Sequence, residues 1–265
     1  MRAEGNLDLC TYKNHEPVVL VTGGALRIGA GIAELFHSRG FNVLISFNKS
    51  NEAATMLIKK FNRIRPESAH SIKANLALSD EVSVLAQKAL IWKGHIDVLI
   101  NNASSFYPTP FELTKQEEWD ELIGSNLRGA YFLVKALASS IKNRQGSIVN
   151  LVDTHSDRPL ANHPVYSIAK AGLKAMTKSL AIELGPDVRA NGVSPGAILW
   201  PPSLEDSEGP DVLRRREEML LSIPMKELGN ISDITETVYF LACQARYVTG
   251  QVIKVDGGRN LGLAN

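Results

Sequence analysis

The chain of 265 residues is long enough to bury a large core in one or two domains, and 44% hydrophobic with 22% charged residues is ordinary for a globular protein. A formal net charge of +1 leaves no electrostatic footprint for nucleic acid or for an anionic membrane surface. Two cysteines, Cys10 and Cys243, form neither a metal-ligand spacing nor a disulfide framework, and no apolar run reaches the length of a membrane span.

Residues 1–16, "MRAEGNLDLCTYKNHE", have no apolar signal core and read as a polar extension, so the protein is expected to stay in the cytoplasm. From Pro17 short apolar runs alternate with amphipathic segments. The runs are "VVLVTG" from Val18, "NVLISF" from Asn42, "SIKANL" from Ser71, "IDVLINNA" from Ile96, "GSIVNLVD" from Gly146, "VRANGVSPG" from Val188 and "QVIKVDGG" from Gln251. Each is rich in Val, Ile or Leu without strict alternation, as strands covered on both faces are. Between them, stretches such as "SNEAATMLIKKFNRI" and "AKAGLKAMTKSLAIELG" have helical spacing, the latter stopped by Gly185 and Pro186. This order predicts one domain over residues 17–265: a Rossmann-type α/β fold with a doubly wound, parallel, seven-stranded sheet and helices on both faces. Residues 197–229 break the rhythm with prolines and opposed charge clusters. Because they follow a strand's carboxyl end, where ligands bind in such sheets, they are expected to form a mobile substrate loop.

The first strand leads into "TGGALRIG". Gly23 and Gly24 permit a tight turn, and the helix starting near Ile28 offers unpaired N–H groups to a phosphate. Arg27 stands where dinucleotide-binding turns more usually have glycine. A cation is disfavoured at a helix N-terminus unless an anion sits there, so Arg27 is expected to touch phosphate. The second strand, "ISFNKS", ends without the acid that accepts from a ribose 2′-OH; Lys49 and Ser50 suit a 2′-phosphate instead. NADPH is therefore the expected cofactor.

Further on, Tyr166 and Lys170 are spaced to share a helix face, and Asp153 lies thirteen residues before the Tyr. A free Tyr titrates near pH ~10, so an ammonium favouring the phenolate is expected to make Tyr166 a better proton donor near neutrality.

Taken in order, "TGGALRIG", "NNAS" at Asn101 to Ser104, Asn126 in "GSNLRGAYF", "YSIAK" from Tyr166 to Lys170, "SPG" at Ser194 to Gly196 and "GQVIKVDGG" resemble the short-chain dehydrogenase/reductase family over nearly all of Pro17 to Leu261. More narrowly, "NNASSFYPTPF", Arg27 and Asp153 are similar to the motifs of its pteridine reductases. The resemblance implies NADPH-dependent reduction of a dihydropterin, of the biopterin, monapterin or folate type, by a homotetramer. It assigns catalysis to Asp153, Tyr166 and Lys170, with Asn126 in a proton relay. It puts Asn75 and Leu76 at the adenine, Asn102 and Ala103 at the ribose, and Ser104 against both cofactor and substrate. Phe106 would stack on the pterin. Ile28, Asn48, Lys170, Pro195 and Gly196 would complete the cofactor contacts, and Arg27 and Trp200 would touch substrate. Asn75 departs from the Asp common there.

Most relatives have a Ser at the position of Asp153, whose hydroxyl donates to a carbonyl oxygen. An ionised Asp cannot donate. That favours C=N over ketone reduction, though Asp153 could also be a turn cap at a strand end. A carbonyl or 3-ketoacyl reductase of the same fold is the alternative. A redox sensor without turnover has no use for Asn126, Tyr166 and Lys170.

Overall fold

The computed structural model describes residues 16–200, 204 and 209–262; apart from Glu16, the expected N-terminal extension lies outside the described residues. Seven strands, β1 (Val18–Val21), β2 (Asn42–Phe47), β3 (Ala69–Lys73), β4 (Val98–Asn101), β5 (Ser147–Leu151), β6 (Arg189–Pro195) and β7 (Val252–Val255), form one sheet in the order β3-β2-β1-β4-β5-β6-β7. Every pairing is parallel. All seven runs expected from the sequence form strands. β3 starts two residues before its apolar run because Ala69 pairs with Val43 of β2.

The two-residue period of a strand explains why these runs do not alternate. In β1, Val19 and Val21 enter one core, with Ile32, Phe36 and Val238, while Val18 and Leu20 enter another, with Leu85, Leu133 and Leu173. A strand buried on both faces needs an apolar side chain at every position. Each such side chain contributes roughly 1.5–3 kcal/mol on burial.

The helices α1 (Arg27–Ser38), α2 (Asn51–Ile64), α3 (Ser79–Lys93), α4 (Gln116–Ile123), α5 (Gly129–Asn143), α6 (Pro164–Leu184), α7 (Pro210–Leu221) and α8 (Ile231–Tyr239) fill the crossovers. α1 and α8 cover the first core, α3, α5 and α6 the second. None of the described helices is long and apolar enough to cross a membrane. From β1 the chain winds outward to β3, then returns to β4 on the other side of β1. Adjacent strands therefore diverge at the carboxyl ends of β1 and β4, which opens the crevice where α/β sheets bind ligands. Residues 197–229 contain α7, which has no buried residue.

Candidate active site

At that crevice the first turn is built before any ligand arrives. Thr22 Oγ1 accepts from the backbone N–H of both Asn102 and Ala103, each at 3.0 Å. Asn102 Nδ2 in return donates to the carbonyls of Thr22 (2.9 Å) and Gly23 (3.1 Å). Gly23 has φ +61°, and a Cβ on it would lie 2.9 Å from Ala103 Cα; one on Gly29 would lie 2.2 Å from Gly23 O. Only glycine lets the two strand ends and the helix start approach so closely. Arg27 also has a positive φ, 52°, at the first position of α1. Holding a non-glycine residue there costs on the order of 1 kcal/mol.

A cavity of about 270 Å³ opens over this turn. Its walls include Gly23, Asn48, Lys49 and Ser50 on one side, and Asn75, Leu76, Ala103 and Ser104 on the other. Ser50 is the N-cap residue of α2 but its side chain makes no capping hydrogen bond, so beyond Asn51 N–H, which meets Lys49 O at 3.0 Å, the first turn has no side-chain cap from it. The glycine cradle, the helix starts and the lone Lys49 fit a dinucleotide with its phosphates.

Other expected contacts have different surroundings. Ile28 packs against the first core, which leaves its backbone as the group able to meet a phosphate. Asn75 spends its side-chain oxygen on Ala77 N–H (3.1 Å), an Asx turn, rather than offering it to a base. Gly196, beside Pro195 at the end of β6, lies against Asp256, whose Cα a Cβ would approach to 2.6 Å. Trp200 is half-buried under the Arg216 guanidinium at 5.3 Å, which ties the start of the excursion to α7 within it.

The proton-handling residues meet at the end of β5. Asp153 N-caps a short 3-10 turn, Thr154–Ser156, its Oδ1 accepting from His155 N–H at 2.8 Å. Its Oδ2 accepts from the Tyr166 hydroxyl at 2.7 Å. One carboxylate thus both caps the turn and holds the phenol. Pro164 opens α6 and so sets Tyr166 in its first turn; Tyr166 is 5% and Lys170 2% exposed.

Burial first, then the Asp153 charge and its hydrogen bond, push the Tyr166 phenol well above its ordinary pKa, against the downward shift expected from Lys170. The reason is geometric. Lys170 Nζ donates to Leu151 O at 2.8 Å and lies 5.7 Å from the centre of the Tyr166 ring, while Asp153 touches the hydroxyl itself. Burial also lowers Lys170 to about 8, with Asp153 opposing.

Asn126 is buried in a π-helical turn, Gly124–Arg128, between α4 and α5. Its Oδ1 accepts from Ser104 Oγ at 2.6 Å, and its Nδ2 donates to Ser105 O and Leu122 O. Between it and the phenol stands Ser104, whose nearby hydroxyl acts to lower the Tyr166 pKa against the larger upward effects. Phe106 is 56% exposed, with the His163 ring stacked on it at 4.7 Å and 11° and the Tyr166 ring edge-on at 4.8 Å. His163 thus takes one face of Phe106. Sequence reading missed Thr22, whose one signal is a hydroxyl directly before the paired glycines, and the role of His163, which has no local signal.

This order of elements and residues has counterparts in known proteins. The enoyl-(acyl carrier protein) reductase family model matches residues 24–260. The chain belongs to the short-chain dehydrogenase/reductase family. It is 34% identical to pteridine reductase 1 of Leishmania tarentolae, covering 92% of this chain and 96% of that protein. It is also 34% identical to 3-oxoacyl-(acyl-carrier-protein) reductases of Staphylococcus aureus Mu50, over 90% and 96%, and of Thermotoga maritima, over 91% and 96%. As a short-chain dehydrogenase/reductase it is an NAD(P)-dependent oxidoreductase. Equal identity to two chemistries leaves the choice between them to the residues of the site.

Proposed function

We propose that this short-chain reductase transfers a hydride from NADPH to a dihydropterin and protonates the adjacent ring nitrogen, giving the tetrahydro form. The observation that carries this reading is Asp153: both of its oxygens act as acceptors, from Tyr166 O–H and His155 N–H. A carbonyl substrate needs a donor at that place, whereas a pterin presents N–H groups that a carboxylate can accept. The exposed face of Phe106 beside Tyr166 supports the same reading, since a planar heterocycle can stack there. NADPH rather than NADH is supported by Lys49 and the uncapped Ser50 at the end of β2, and by Arg27 at the start of α1.

When bound, the nicotinamide supplies the hydride. Tyr166 holds its proton firmly, because burial and Asp153 disfavour the phenolate. It gives that proton up only to a strong base, and a ring nitrogen whose neighbouring carbon has just accepted hydride is one. Ser104 and Asn126 form a hydrogen-bonded pair beside the phenol, from which a relay to it can be completed. The described parts of the excursion after β6, residues 197–200, 204 and 209–229, cover the substrate, and four copies form the working assembly.

The test is NADPH oxidation by the wild type and by Asp153→Ser on dihydrobiopterin and on a 3-ketoacyl thioester. The substitution should depress dihydropterin turnover on the order of 10²–10⁴-fold, the usual size of a lost acid–base contribution, with NADPH affinity nearly intact. Full dihydropterin turnover in Asp153→Ser would reduce the carboxylate to a turn cap. A wild type that turns over only the thioester would favour the 3-oxoacyl reading.

A further inference from the structure

A second cavity, of about 240 Å³, adjoins the catalytic group and has no part in the chemistry above. Thr154 links the two: it lines this cavity, and its Oγ1 lies 3.4 Å from Asp153 Oδ1. Its other walls bring His155 and Arg158 from the segment after β5 together with Arg259 and Asn260 from beyond β7 and Ser222 from the end of α7. Arg158 Nη1 donates to the Arg259 main-chain carbonyl at 3.1 Å, which fastens the two segments to each other at this wall.

Among the described residues neither guanidinium has a carboxylate partner within salt-bridge distance. The acids on the same segments are engaged elsewhere. Asp157 is bonded by Lys174 and Lys254, and Asp256 accepts from Gly258 N–H (2.9 Å) and Asn260 N–H (2.8 Å). Two cations at one hollow repel each other, and that repulsion turns into attraction when an anion enters. Asn260, on the same wall, has its Oδ1 buried without a hydrogen-bond partner.

We propose that this cavity is a second substrate subsite, which takes an anionic group, carboxylate or phosphate, carried on the side chain of the ring that is reduced at Tyr166. The subsite rests on the pterin reading for what the anion is attached to, though not for the anion itself. Arg158 and Arg259 present forked donors that match either anion. A neutral hydroxyalkyl side chain leaves both arginines without a partner.

The test compares wild type, Arg158→Gln, Arg259→Gln and the double variant, all as full-length protein. NADPH oxidation is measured with dihydrobiopterin (neutral), dihydrofolate (carboxylate) and a phosphate monoester of dihydroneopterin. For each variant the readout is kcat/KM on the anionic substrate divided by that on the neutral one, a ratio that cancels any loss of folded enzyme. It should fall on the order of tenfold for each arginine, the usual weight of a charge-assisted hydrogen bond. A fall with dihydrofolate alone, or with the phosphate alone, identifies the anion. An unchanged ratio for both anions in the double variant overturns the subsite. If the wild type reduces no pterin, the functional reading falls separately. Calorimetric titration with 4-aminobenzoylglutamate and with inorganic phosphate then decides the subsite: saturable binding lost in the double variant supports it, and no binding of either to the wild type overturns it.

Discussion

Burying an amine as fully as Lys170 is buried carries a cost that depends on pH. Its pKa is about 8 in the folded chain against 10.5 when free, with burial the main cause. Below about pH 8 both states carry the ammonium, and the penalty is fully present. Between 8 and 10.5 the unfolded chain still binds a proton that the folded chain has released, so this residue's contribution to stability rises with pH. Tyr166 acts with the opposite sign. Its phenol is raised, so its stabilisation is complete below pH 10 and is lost as the pH climbs beyond that. Lys170→Met should therefore be more stable than wild type at pH 7, less the lost bond to Leu151 O, and should lack the wild type's gain in urea midpoint between pH 8 and 9.5. Equal midpoint changes in the two proteins, at one protein concentration, would show that the amine is not desolvated. The spacing of Tyr166 and Lys170 was legible in the sequence. The direction of their pKa shifts was not, because it depends first on how deeply the fold buries each group and then on Asp153, rather than Lys170, touching the phenol oxygen.

Among the elements, the junction of β2 and α2 is where the proposed preference for NADPH is tested. Ser50 starts α2 with no cap bond, and Lys49 precedes it on the cavity wall, so the helix start is left to an anion. Lys49→Glu should weaken NADPH binding on the order of tenfold or more while hardly changing NADH binding, as measured by fluorescence titration of each. Equal losses would remove the 2′-phosphate assignment. This junction could be read from sequence because a missing acid and a present cation are local facts. The π-helical turn Gly124–Arg128 could not. "GSNLRG" continues a helical pattern, and the wider turn goes with bonds from Asn126 to Ser104 and Ser105, 22 and 21 residues away. The bounds of α7 were no more legible, since a helix that buries nothing is not marked out by a core-facing stripe.

At the scale of the molecule, the parallel sheet of seven strands with helices on both faces followed from the repeated strand–helix rhythm, because right-handed crossovers leave few ways to lay parallel strands, and the structure adds their order. What that order leaves uncovered points to assembly. A groove of about 900 Å³ runs between α5 and α6, lined by Leu127, Tyr131, Phe132, Met176 and Leu180, with Ile182 80% exposed nearby. At the other side β7 is an edge strand, flanked by the exposed Tyr247 and Leu261. Two such surfaces on one protomer suit a tetramer, and light scattering should give about four times the chain mass of 28.9 kDa. A mass near 28.9 kDa at micromolar concentration would exclude it. The Thr22–Asn102 clasp also bears on how the molecule is born. Its partners are 80 residues apart, so a nascent chain that has emerged only as far as β3 has the glycine turn but nothing to fasten it. Until β4 leaves the ribosome and docks against β1, the mouth of the cofactor cleft stays unlatched. The clasp therefore sets the earliest moment in synthesis at which this chain can capture its nucleotide.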